Sequence, residues 1–425
     1  MLTISLRGAL GALGALLVAG TITLSLVLVP FAGAETVGAI NELEIPTGGT
    51  PAGIASGADG NMWFLESGHG YGEPIARVTP AGKITEFDIP HAVAGARSIA
   101  AGSDGNMWFT EEAANTIGRI TPAGAIYEFP LPGIAGPSGI ALGPDGNMWF
   151  TEADGEAIGR ITPGGEVAEF PLPLAAGKAN AEGGPAQIAE GPEGDMWFTD
   201  YGEGLGERIG RITMAGEITQ FAVPKVDVAG VLMAPAPYGI ATGAEGEIWF
   251  TEFSGNQLAR INPENGQIST FATPAEKEHP LNIALGADSS MWFTEFGDEG
   301  AGETIGRINQ AGEVTDWATP TAESGPDGIA PGPDGNMWFT ESSRGQIGHI
   351  GTGAPAALIA PAAIGGDTEA THVQSCIASS WASLNAQQPL AELFGFDGFY
   401  WSLEGKRVAT GPTSRAPSRC SSDPE

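Results

Sequence analysis

The sequence predicts an all-β fold: a seven-bladed β-propeller closed by its own N-terminal strand, with a small β-rich segment after it. Three observations predict it. The motif "MWFTE", or a close variant, recurs seven times, with tryptophans at Trp63, Trp108, Trp149, Trp197, Trp249, Trp292 and Trp338 spaced 41 to 52 residues apart, the period of a propeller blade. Each unit contains four short apolar runs separated by turn residues. The fourth run is displaced around the array, with one copy standing before the first unit and none after the last.

The chain begins with a targeting segment over residues 1–34. Arg7 is its only charge, the stretch from Gly8 to Phe31 is apolar, and Ala32-Gly33-Ala34 offers a small-residue cleavage site. The mature chain is expected to start at Glu35 and to be secreted. If the segment stays uncleaved, its apolar run is long enough to anchor the chain in a membrane, for which about 20 apolar residues suffice.

The propeller is expected over residues 35–351. In the third unit the runs are "PSGIALG", "MWFTE", "AIGRIT" and "VAEFPLP", with "PDGN" and "PGGE" as turns. Asp-Gly and Gly-Gly pairs between apolar runs favour tight hairpins because these residues tolerate positive φ. The fourth-strand pattern reads "TEFDIP", "YEFPLP", "AEFPLP", "TQFAVP", "STFATP" and "TDWATP" after the first six tryptophans, and "NELEIP" at residues 41–46 precedes them all. That N-terminal strand is predicted to complete the last blade, joining the ends of the ring and leaving no open sheet edge. The strand-four aromatics Phe87, Phe129, Phe170, Phe221, Phe271 and Trp317, with Leu43 in the closing strand, are expected to fill the outer layer.

An Ala/Pro/Gly-rich linker over 352–366 leads to a segment, 367–425, that holds both cysteines, Cys376 and Cys420. A bridge between them would add about 3 kcal/mol through loop closure. "FYWSLEGKRVATG" reads as a hairpin and resembles the middle of Ig-like modules of bacterial exported proteins, with too few strands for a whole sandwich.

Composition excludes several functions. The formal charge of −33 becomes −34 without Arg7, which repels polyanions, so no nucleic-acid partner is expected. Two cysteines rule out a paired-CxxC zinc site, and no HExxH, P-loop or dinucleotide fingerprint is present. A monomer is expected.

Hairpin direction sorts the loops onto two faces. Turns between strands one and two, and between three and four, are near-identical copies such as "GPDGN", while the loops after strands two and four vary in length and chemistry. Binding is usually built on variable loops of a constant scaffold. The mouth of the channel on that face should be ringed by Ala52, Arg97, Ser138, Ala186, Tyr238, Leu281 and Asp327, facing Glu66, Glu111, Glu152, Asp200, Glu252, Glu295 and Glu341 at the ends of the second strands. A site that breaks sevenfold symmetry must come from departures, which makes Arg97, Tyr238 and Asp327 the candidate ligand-binding residues for a small-molecule or peptide ligand. The repeated carboxylates are read as charge partners of Arg77, Arg119, Arg160, Arg211, Arg260 and Arg307, with His349 in the seventh blade.

The tandem pattern "PxGIAxGPDGNMWFTE…IGRITPAGxIxEFPLP" over residues 40 to about 351 resembles the virginiamycin B lyase family of seven-bladed propellers. The resemblance implies a carbon-oxygen lyase that linearises type B streptogramin antibiotics, conferring resistance, by a magnesium-assisted elimination. In that family a histidine follows the first-strand proline in each of the last two blades, one glutamate precedes the proline of the last blade, and another ends that blade's second strand. Here those positions hold Leu281, Asp327, Gly325 and Glu341. Only Glu341 matches, as a catalytic or magnesium-binding carboxylate. Asp327 stands as a substitute base, weaker than histidine at its reference pKa. His279, two residues before Leu281, is a further candidate; His69 and His91 are read as solvated. The reading favoured is a binding module with its lyase activity lost or altered; the alternative is an active magnesium-dependent lyase, and a propeller lactonase has no distinctive residue behind it.

Overall fold

The computed structural model describes residues 34–67, 74–90, 95–173, 184–201, 207–228, 231–274, 278–297 and 303–355. The targeting segment, His69, His91, His372 and the cysteine-containing C-terminal segment lie outside the described residues.

Seven four-stranded antiparallel sheets form the propeller. In the third blade the strands run Pro137–Leu142, Met148–Glu152, Ala157–Ile161 and Val167–Pro171, within a residue or two of the sequence reading. The closing strand, Ile40–Glu44, pairs with Gln346–Ile350 in the last blade, in the register Ile40↔Ile350 to Glu44↔Gln346. The clasp continues past the strand: Gly38 N–H donates to Gly351 O, and Gly351 N–H to Ala39 O, each at 2.9 Å. Thr352 remains on the last blade, its hydroxyl donating to Gly335 O at 2.6 Å, so the start of the expected linker belongs to the propeller.

Packing follows the repeat. All seven motif tryptophans are at most 1 % exposed, and each joins its own blade to the next. One cluster carries Trp338 and Ile347 of the last blade against Ile54, Met62 and Phe64 of the first, so apolar contact closes the ring along with hydrogen bonds. Strand-four aromatics stack on the tryptophans at 5.1 to 5.6 Å between centroids. Arginines of the third strands lie over these rings, as Arg160 does over Trp149 and Phe170.

The arginines differ in role from the sequence reading. Arg77, Arg119, Arg160 and Arg307 pair with the turn aspartates Asp59, Asp104, Asp145 and Asp288 on the constant face, not with the second-strand carboxylates. The register explains it, because each arginine stands opposite tryptophan, as Trp149↔Arg160 does, three residues away from the acidic strand end. The same aspartates, and Asp334 in blade seven, accept the indole N–H at 3.0 to 3.1 Å in blades one, two, three, six and seven. Blades four and five place Glu193 and Glu245 there. Their Trp197 and Trp249 indole nitrogens have no hydrogen-bond partner among the described residues.

Threonines of the second strands tie blade to blade near the channel. The hydroxyls of Thr110, Thr151, Thr199, Thr251 and Thr294 accept from their own blade's first-strand N–H, at 2.8 to 3.1 Å. Each also donates to a first-strand carbonyl of the following blade at 2.7 to 2.8 Å, reaching Ser138, Ala186, Tyr238, Leu281 and Asp327. Blade one carries Leu65 at this position.

Truncation of residues 35–46 is expected to lower the melting temperature by roughly 10 °C or more and to promote aggregation through the bared edge, measured by calorimetry and light scattering. Asp145→Ala should cost about 1–3 kcal/mol in denaturant unfolding because it strands the buried Trp149 N–H, whereas Glu193→Ala, beneath an indole it does not bond, should cost less than about 0.5 kcal/mol.

Candidate functional site

The first strand of every blade begins at the channel with Pro-x-Gly-Ile or a variant, and a β-bulge follows the first residue, as between Pro137 and Ile140. The isoleucines form an apolar floor, with Ile54, Ile99, Ile240, Ile283 and Ile329 each 5 to 7 % exposed. Above it lies a cavity of about 560 Å³. Its wall includes Ala52, Arg97, Ser98, Glu112, Gln187, Tyr238, Asn282, Asp327 and Ser342. These residues lie at the starts of first strands and just beyond second strands, on the variable face.

Three candidates from the sequence, Arg97, Tyr238 and Asp327, are therefore brought together. Ser138, Ala186 and Leu281 are not among the cavity's lining residues. Ser98, Glu112 and Ser342 were missed among the lining residues, and so were two that carry amides, Gln187 and Asn282. Both replace the glycine of the Pro-x-Gly-Ile repeat, a signal legible in the sequence. Glycine fits there because a side chain would press on the next blade: a Cβ at Gly239 would stand 2.5 Å from Leu281 O, and one at Gly328 2.7 Å from Ala52 O. Gln187 and Asn282 instead send their amides to the following blade's mouth residue. Asn282 Nδ2 donates to Asp327 Oδ1 at 3.0 Å and to Asp327 O at 3.2 Å, and the Gln187 amide hydrogen-bonds the Tyr238 hydroxyl.

Electrostatics follow from depth. Asp327 is deep in the channel, yet partly open to the cavity; burial raises its pKa to about 6, against the opposing charge of Arg97 and the Asn282 hydrogen bond. Burial also raises Tyr238, and the charge of Asp327 adds to it. Arg97 hydrogen-bonds Glu112 as an ion pair, its side chain 58 % exposed at the rim. Apolar groups project from the same face: Ile134 is 80 % exposed, Leu232 67 % and Met233 40 %, the last two on a hairpin of Val226–Val228 and Val231–Met233.

The second-strand carboxylates do not ring the mouth. Glu66, Glu111, Glu152, Glu252, Glu295 and Glu341 are at most 2 % exposed, and none lines the cavity. Their side chains are buried in the blade; in the third, Glu152 lies beside strand three, where a Cβ at Gly159 would stand 2.7 Å from Glu152 Oε1. Strand-four acids are close by, and Thr47 Oγ1 lies between Glu66 and Glu86, within hydrogen-bond distance of both at 2.9 and 3.0 Å. Burial first, then the charges of Glu42 and Glu303, pushes Glu341 up to about 8. Glu152 and Glu252 are pushed up to about 7, again chiefly by burial.

Glu341 and Asp327 are thus not part of one site. His279 stands apart too, with Nδ1 2.8 Å from Phe253 O and its ring stacked on Phe253. His349 stacks on Trp338 in the arginine's place, 3.5 Å from Glu35. These donors do not fit magnesium. The ion favours ionised oxygen ligands, whereas Glu341 holds its proton among other carboxyls, and no group of three His, Cys, Asp or Glu side chains among the described residues is arranged to hold a metal.

The virginiamycin B lyase family model matches residues 32–182 and 178–357. The chain belongs to the virginiamycin B lyase family. A streptogramin B lyase structure is 33 % identical, with a TM-score of 0.64 over 73 % of this chain and 97 % of that one. Virginiamycin B lyase from Staphylococcus aureus is 34 % identical, with a TM-score of 0.64 over 74 % of this chain and 99 % of that one. A catalytically inactive histidine-to-alanine variant of the Staphylococcus aureus lyase with quinupristin matches at 34 % and a TM-score of 0.63, over 74 % and 99 %. No curated protein sequence matches the chain.

Two outcomes are expected of Glu341. Raised carboxyl pKa values mean that the folded chain holds protons the unfolded chain releases near pH 4.5, so their stabilisation is full below about pH 4 and is lost as pH rises toward 8. Glu341→Gln should therefore raise the melting temperature at about pH 8, by ~2 °C or more, and leave it unchanged near pH 4. Magnesium should not shift the melting temperature; a rise that disappears in Glu341→Gln would restore the metal-binding reading.

Proposed function

We propose that this member of the virginiamycin B lyase family is an exported propeller that holds a small or peptide ligand in its channel mouth, with the family's chemistry lost or altered. One observation carries this reading. The two positions where the family resemblance places histidines hold Leu281, which does not line the cavity, and Asp327, whose carboxylate is hydrogen-bonded to Asn282. The cavity nevertheless keeps a polar collar over an apolar floor, the arrangement that binds and orients small ligands.

A second reading has its own support. With its pKa raised to about 6, Asp327 is a stronger base than an ordinary aspartate and is still mostly ionised at neutral pH. It could remove a proton beside a carbonyl of a bound depsipeptide, with Tyr238 and Arg97 at hand to steady negative charge. That reading is an elimination opening the ring of a type B streptogramin.

Incubating the mature chain with quinupristin in buffer containing magnesium, followed by mass spectrometry and calorimetric titration, separates the two. Binding without a ring-opened product is the expected result. Product formed by the wild type and reduced at least ~100-fold in Asp327→Asn, the scale of a lost general base, would establish the elimination instead. No binding would remove both readings for this class of antibiotic.

A further inference from the structure

We infer that the channel mouth is a site for a primary ammonium group, held by the Asp327 carboxylate above the isoleucine floor. The inference rests on the ligand-binding reading of the cavity and adds the charge class of the ligand.

Charge bookkeeping around the collar points to a cation. Two carboxylates line the cavity, Glu112 and Asp327, and Arg97 is hydrogen-bonded to the first of them. Asn282 occupies one oxygen of Asp327, Oδ1, through a neutral donor. The other oxygen, Oδ2, is not among the water-inaccessible polar atoms, and it accepts no side-chain hydrogen bond among the described residues. Asp327 itself is a lining residue of the cavity. A deep carboxylate with one oxygen free and no ion-paired cation is costly to ionise, and a ligand cation relieves that cost.

The groups that surround it suit an ammonium better than an anion. Tyr238 presents a hydroxyl, and because Asn282 uses its N–H₂ on Asp327, its carbonyl oxygen remains an acceptor. Arg97 opposes a cation, but its charge is spent on Glu112 at the rim, leaving the pair close to neutral. The chain's formal charge of −33 also draws cations toward the mouth. Beneath the collar the isoleucines accept an aliphatic group attached to the amine. An α-ammonium carrying a branched apolar side chain, the N-terminus of a short apolar peptide, satisfies both layers.

The test uses a matched pair of probes, L-leucyl-L-leucinamide and its N-acetyl derivative, titrated calorimetrically into the propeller. The free amine should bind at least tenfold tighter than the acetylated peptide. Its affinity should fall on the acid side as Asp327 takes a proton, and on the alkaline side as the α-amino group loses one, near pH 8. Arg97 and Tyr238, whose pKa values are raised, keep their charge states over that window, and Glu112 is engaged in its ion pair with Arg97. Asp327→Asn, which preserves shape, should abolish the preference, and Asp327→Glu should retain part of it. Equal affinity for the two probes, no binding of either, or a preference that survives Asp327→Asn would overturn the inference. Quinupristin binding alongside equal affinity for the two dipeptide probes would overturn the ammonium site while leaving the ligand-binding reading intact.

Discussion

The pairing of Ile40–Glu44 with Gln346–Ile350 is the constraint on which everything else depends. A blade is a twisted sheet with two faces to bury, and it can bury both only if it has a neighbour on each side. Six of the seven junctions join blades consecutive in the chain. The seventh exists only because the chain's first strand becomes the last blade's fourth, which brings Trp338 against Ile54 and Phe64. Once that junction forms, no blade is terminal, and the channel has a defined wall all the way around.

Closure also explains why the interior tolerates so much buried polarity. Second-strand threonines spend their hydroxyls on the backbone of two blades at once, so each hydrogen bond works only if the neighbouring blade is present and correctly placed. The second-strand glutamates are buried in the blade interior, where burial raises the pKa of Glu152, Glu252 and Glu341. Their repetition reflects blade architecture. Function has to be sought where the repeat fails.

Those failures cluster on one face. Arg97, Gln187, Tyr238, Asn282 and Asp327 come from five different positions on a sevenfold scaffold and meet around one cavity. Gln187 and Asn282 occupy glycine positions and reach across blade junctions, so the site is wired by the contacts that hold the propeller together. Family membership supplies the scaffold, and the collar residues are departures from the chain's own internal repeat.

The repeat period, the hairpin turns and the displaced "NELEIP" determined blade number, strand order and closure by themselves, because these depend on local turn chemistry and on which strand lacks a partner. Arg97, Tyr238 and Asp327 were legible for a related reason: they break a pattern that the other blades keep. Sequence did not decide where the glutamates point. Alternation along a strand fixes which face a side chain leaves from, but the surroundings of Glu341 depend on Glu42, which arrives from the other end of the chain. The partners of the arginines, the separation of Glu341 from Asp327, and the pairing of Asn282 with Asp327 were likewise settled only by tertiary structure, since each is a contact between strands whose relative register and tilt no single segment encodes.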